Sequence, residues 1–162
     1  MKFKKPNIFI IGPSQSGKTT LAKELASDLG FIQYSASNAI KELRNLHKLF
    51  KNKIENREEI TKISLETLQS DDKAISRKIH ETIADGGFVI DGIRNPTDFV
   101  CNFNSSKDFV VLLDGRSEDY FEMSGIQTIE KYLGFLITNE IFKGEIYGKN
   151  NINELKDKLC SK

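Results

Sequence analysis

Apolar residues along the chain fall into two spacings, and the spacings alternate. Ile8-Phe9-Ile10-Ile11 form a continuous apolar run, the pattern of a strand buried on both faces. Leu21, Leu25 and Leu29 then recur every four residues, as on one face of a helix, and Gly30 is placed to stop it. Phe31 to Tyr34 predicts a second short strand. From Ser37 the spacing is helical again, with Ile40, Leu43, Leu46 or His47, and Phe50. The polar stretch Leu49 to Glu59 reads as a connection. Ile60, Ile63 and Leu68 predict another helix. Ile75, Ile79 and Ile83 predict one more, running from about Asp72 to the Gly86-Gly87 pair. Phe88 to Asp91 and Phe109 to Leu113 predict the third and fourth strands. Ile126, Ile129, Leu133, Leu136 and Ile141 mark a long amphipathic helix. Glu145 to Tyr147 predicts a weak fifth strand, and Asn153 to Leu159 a closing helix.

Strands that alternate with helices predict an α/β fold with a parallel sheet. Such sheets bind ligands outside the carboxyl ends of their strands, so chemistry is sought there. The 162 residues suit a single domain. With 24 Lys plus Arg against 23 Asp plus Glu, the net charge is +1, which disfavours a polymeric nucleic-acid partner. Cys101 and Cys160 match no metal spacing and read as free thiols in a reducing compartment. The first apolar run is too short for a secretory h-region and leads straight into a glycine loop. No run is long enough to cross a membrane. A cytoplasmic protein is the expectation.

Gly12-Pro13-Ser14-Gln15-Ser16-Gly17-Lys18-Thr19 fits G-x-x-x-x-G-K-[ST], the phosphate-cradling P-loop. It lies between a buried strand and an amphipathic helix, the context this motif requires. Gly12 would let the chain leave the strand sharply, and Gly17 would let the backbone approach phosphate. The backbone N–H groups of Ser14, Gln15, Ser16, Gly17, Lys18 and Thr19 can form an anion nest, and the helix dipole adds to it. Lys18 would reach the β- and γ-phosphates of ATP, the Thr19 hydroxyl would ligate Mg²⁺, and Thr20 would extend the cradle.

Val89 to Pro96 reads VIDGIRNP. An aspartate closing a hydrophobic strand lies beside the P-loop if that strand neighbours the first. Asp91 could then hold Mg²⁺, directly or through water. Arg94, three residues on, would face the same cleft, where its planar fork suits a phosphate. An ordinary polar strand end or helix cap is the alternative for Asp91, and a surface salt bridge for Arg94.

GPSQSGKTT followed by a short strand, a polar helix and VIDGIRNP resembles the nucleoside monophosphate kinase group of P-loop proteins. Adenylate kinases carry an Asp-Gly-x-Pro-Arg segment after the third strand. Deoxynucleoside monophosphate kinases and the small adenylate-kinase-like or dephospho-CoA-kinase-like proteins carry a similar Asp-Gly-x-Arg. The resemblance covers most of residues 7 to 114. It implies a three-layer P-loop sandwich around a five-stranded parallel sheet, an acceptor-binding helical segment at about 35–85 and a short lid at about 115–125.

It also implies ATP on the P-loop and an acceptor gripped from the first helix after strand two. That helix carries Ser37, Lys41 and Arg44, with Lys41 where relatives place an arginine and Asn38 where they often place an aspartate. A lysine supplies charge without the bidentate fork. The lid segment offers Arg116, with Lys131 as a substitute; it is minimal, completed by a partner, or slow. Gly148 to Asn151, Asn150 among them, match the loop that cradles adenine. The expected reaction is transfer of the ATP γ-phosphate to a nucleoside or deoxynucleoside monophosphate, the small-molecule partner. The alternatives are a hydroxyl acceptor (dephospho-CoA, a small metabolite or a modified nucleic-acid base) and a low-turnover nucleotide-binding switch. Oligomeric state is left open.

Overall fold

The computed structural model describes residues 4–12, 16–43, 71–113 and 145–161, together with positions 60, 62, 66, 67 and 69. The expected helical continuation through Leu46, His47 and Phe50, the lid at 115–125 and the long helix around Ile126 to Ile141 lie outside these residues.

Five strands form one sheet. They are β1 (Ile8–Ile11), β2 (Ile32–Ser35), β3 (Phe88–Asp91), β4 (Phe109–Leu112) and β5 (Ile146–Tyr147). Their order is β2-β3-β1-β4-β5, and every pair is parallel. Five α-helices are described: α1 (Lys18–Leu29), α2 (Ala36–Leu43), α3 (Ala74–Ile83), α4 (Pro96–Asn102) and α5 (Ile152–Cys160).

Side chains alternate across a strand, and here both faces are covered. Ile8, Ile10, Val89 and Val111 pack with Ala22, Leu25 and Ala26 of α1 and Leu155 of α5. Phe9, Ile11, Ile90 and Val110 pack with Ala39 and Ile40 of α2, Ile75, Ile79 and Ile83 of α3, and Phe99 of α4. The result is a three-layer sandwich. All four residues of β1 are essentially inaccessible, and each such aliphatic or aromatic side chain contributes about 1.5–3 kcal/mol by leaving water.

Polar staples join the amino ends of the strands. The buried Asn7 side chain accepts from Phe88 N at 3.1 Å and donates to the Ile83 carbonyl at 3.3 Å. Its backbone N–H donates to Asp108 Oδ1 at 2.9 Å, and Asn104 N–H donates to Asp108 Oδ2 at 3.0 Å. Burial raises the Asp108 carboxyl above its ordinary range, and these backbone donors oppose the rise.

The structure departs from the periodicity at the start of β2 and in a helix after β3. Strand β2 begins at Ile32, because the Phe31 N–H instead closes α1 by donating to the Ala26 carbonyl at 2.9 Å. Helix α4 has no counterpart among the sequence-predicted elements. Asn95 caps it by accepting from Thr97 N–H at 3.0 Å, with Pro96 at its first position. Inside α4, Asp98 is 4% exposed, and burial pushes its carboxyl up to about 7. Neighbouring Asn102 donates to Ser76 of α3 and back to the Asp98 carbonyl, while Asp98 Oδ1 and Asn102 Oδ1 have no hydrogen-bond partner among the described residues.

Candidate nucleotide site

The P-loop begins where β1 ends. Gly12 is required there by space: a Cβ would meet the Leu113 carbonyl oxygen at 2.7 Å and Ser16 Oγ at 3.0 Å. Gly17 is required by conformation. It is the N-cap of α1 with φ +90°, and a Cβ would meet nothing within 4 Å. Its carbonyl accepts the first helical hydrogen bond, from Leu21 N–H at 3.0 Å. Among the described residues no side chain caps the helix, and no acidic residue lies in its first turn, so the start of α1 keeps its donors and its positive dipole end.

Lys18 is half-buried, and its Nζ donates to the Gly12 carbonyl at 2.6 Å. The ammonium is thus held by an acceptor at the end of β1, where the motif begins. Among the described residues Ser16 Oγ is buried and has no hydrogen-bond partner. Thr19 and Thr20 are exposed in the first turn of α1.

Asp91 closes β3, and β3 pairs directly with β1 through Ile8↔Val89 and Phe9↔Ile90. The neighbour relation on which a shared site depends is therefore met. Asp91 is 1% exposed. It lies on the same sheet face as Val89, the face covered by α1, so it points to the layer whose helix starts with Lys18 and Thr19. Its Oδ1 accepts from Gln33 Nε2 at 3.1 Å. Sequence reasoning missed Gln33. The signal was a lone amide between Ile32 and Tyr34, but its partner is visible only once β2 and β3 are in register.

Beside Asp91, Ser35 is its register partner, and Ser35 Oγ lies 3.0 Å from Ser37 Oγ at the start of α2. Lys41 is half-buried in the last turn of α2. Arg94 is half-buried in the connection from β3 to α4. Asn150 is exposed in a single 3₁₀ turn, Lys149–Asn151, that follows β5. Ser14, Gln15, Arg44 and Arg116, with Lys131, lie outside the described residues.

Hard oxygen donors, the Thr19 hydroxyl and the Asp91 carboxylate, suit Mg²⁺. The orphaned Ser16 hydroxyl and uncapped helix start suit a phosphate chain. The chemistry of the donors therefore fits the group the motif implies.

Residues 11–123 match the family of AAA domains known as AAA_17. The chain belongs to this family. No curated protein matches this AAA domain. Among solved structures, shikimate kinase from Aquifex aeolicus vf5 superposes with a TM-score of 0.56 at 14% identity, covering 96% of this chain and 94% of that chain. Shikimate kinase from Acinetobacter baumannii, in complex with shikimate, gives 0.53 at 14% identity over 97% and 92%. YorR from Bacillus subtilis, in complex with phosphorylated GDP, gives 0.52 at 13% identity over 96% and 94%. This AAA domain thus has the fold of the small P-loop kinases. Among its described residues no helix is long and apolar enough to cross a membrane.

Proposed function

We propose that the chain is a phosphotransferase that moves the γ-phosphoryl group of ATP to a nucleoside or deoxynucleoside monophosphate. The observation that carries this reading is the pairing of the two strand ends: Lys18 folded onto the P-loop entrance and Asp91 buried on the α1 face of the adjacent strand. The reaction breaks the bond between the γ-phosphorus and the oxygen that leaves with ADP. It forms a new bond from that phosphorus to an acceptor phosphate oxygen. A phosphate monoester is already ionised near neutral pH, so positioning and charge neutralisation suffice.

Each residue then has a distinct task. The first-turn N–H groups of α1, together with Ser16, hold the triphosphate. Ser14, Gln15 and Thr20 complete that cradle. Lys18 exchanges its Gly12 carbonyl contact for the β- and γ-phosphates. Thr19 and Asp91 would hold Mg²⁺, which when bound neutralises phosphate charge. Arg94, with its planar fork, grips phosphate on the acceptor side. Residues 35–85 form the acceptor segment, with Ser37, Lys41 and Arg44 as contacts. Residues 115–125 form the lid, where Arg116 reaches the triphosphate, and Asn150 meets the adenine.

A second reading keeps the donor and changes the acceptor to a hydroxyl. The Asp91 carboxylate favours it, because Gln33 ties one of its oxygens and the other can serve a hydroxyl acceptor as a base. The fold is compatible with both readings, since a protein holding shikimate and one holding phosphorylated GDP share it.

A coupled ADP-release assay with ATP and Mg²⁺ tests the proposal, run against ribo- and deoxynucleoside monophosphates, dephospho-CoA and shikimate. Stimulation by one monophosphate is the expected result. Stimulation by a hydroxyl acceptor alone would overturn the first reading for the second. ATP binding with no acceptor effect would overturn both in favour of a switch.

A further inference from the structure

The carboxylate that faces the P-loop helix is not left to orient itself. Gln33 lies on β2, the edge strand next to β3. In their parallel register Gln33 pairs with Val89 and Ser35 with Asp91, so Gln33 and Asp91 share one sheet face, displaced by two residues. The Gln33 amide reaches across that diagonal and donates from Nε2 to Asp91 Oδ1 at 3.1 Å. An ionised carboxylate can only accept, so the amide must present its N–H end to it. The contact therefore has one chemical sense.

A buried carboxylate with one oxygen tied has a restrained side-chain torsion, and its other oxygen points in a defined direction. Asp91 is 1% exposed, so bulk water does not compete for the tied oxygen. We infer that Gln33 is a positioning residue: it holds Asp91 Oδ1 so that Oδ2 is presented to Mg²⁺ or to a water bound to it. This rests on the reading of Asp91 as a magnesium-side carboxylate. It adds a residue on a different strand, outside both motifs. Partners that orient metal-side groups commonly change metal affinity by about 10–100-fold when removed.

The test is calorimetric and needs no turnover. Mg²⁺ is titrated into protein saturated with the β,γ-imido analogue of ATP, and analogue binding is measured separately in EDTA. Gln33→Met keeps the length and removes the donor. We expect about 10-fold weaker Mg²⁺ binding, with analogue affinity in EDTA within about 2-fold of the parent protein. Gln33→Leu also removes the donor without adding charge, should weaken Mg²⁺ to a similar extent, and serves if the Met variant does not fold. In an Asp91→Asn background, Gln33→Met should add nothing further, because both act through one group. Unchanged Mg²⁺ binding in Asp91→Asn would overturn the reading of Asp91 itself. Weakened binding in Asp91→Asn, with unchanged binding in the Gln33 variants, would overturn the role of Gln33 alone.

Discussion

Asp98 offers a sharp test of how α4 is packed. Its carboxyl sits in the first turn of α4, 4% exposed, with Oδ1 unpartnered among the described residues. Burial raises it from 3.8 to about 7. That difference of about three units means ionisation inside the fold costs on the order of 4 kcal/mol. The folded state holds this proton more tightly than the unfolded chain does. Below pH 3.8 both states are protonated, and Asp98 adds no slope. As pH rises toward about 7, the unfolded chain releases the proton first, so stability falls; above that value the loss is complete. Between about pH 5 and pH 8 the fall is on the order of 2–3 kcal/mol. Asp98→Asn removes the titration. Urea unfolding of both proteins at these two pH values should show the parent losing more stability than the variant by that amount. Asp108, also raised by burial, is present in both and cancels. An identical loss in parent and variant would refute the assignment.

The site and the strand entries supply two further tests. Lys18→Ala removes the ammonium that rests on the Gly12 carbonyl; ADP release should fall by several powers of ten with the unfolding midpoint nearly unchanged, and parent-like turnover would sink the phosphate role. Gly86→Ala places a Cβ 1.9 Å from the Lys5 carbonyl oxygen at a φ of +77°; a cost of about 2–3 kcal/mol should lower the thermal midpoint by roughly 4–12 °C, and an unshifted midpoint would show that the chain before β1 gives way freely.

Much of the fold was legible because a parallel sheet buried on both faces writes its strands as nearly unbroken apolar runs. Ile8 to Ile11 and Phe88 to Ile90 could hardly be anything else. Helix α4 was not legible, since seven residues are too few for a 3.6-residue period to declare itself. Its one signal was local, the Asn95-Pro96 pair that caps and starts it. The burial of Asp98 was not legible, because burial of a single polar residue depends on what the fold packs against it. At the site, the motif from Gly12 to Thr19 is written in spacing alone, and its described part, Gly12 and Ser16 to Thr19, runs from the end of β1 into the start of α1. Gln33 was not legible, because its meaning lies in strand register rather than in its neighbours along the chain.

Register also explains why two motifs far apart in the chain can serve one site. Strands β1 and β3 are adjacent and parallel, so both deliver their succeeding residues to the same end of the sheet. Ile8↔Val89 and Phe9↔Ile90 fix their relative height to a single residue. Alternation then decides the side. Val89 packs on the α1 face and Ile90 on the opposite face, which returns Asp91 to the α1 face. A slip of one residue would turn Asp91 away from the helix that begins with Lys18 and would push Ile90 out of its core. Ile90 is completely buried, so that slip would forfeit about 1.5–3 kcal/mol at this position before any other contact is counted. The packing that holds Ile90 is therefore also what aims Asp91, and the hydrophobic pattern of β3 decides that it lies on the α1 face.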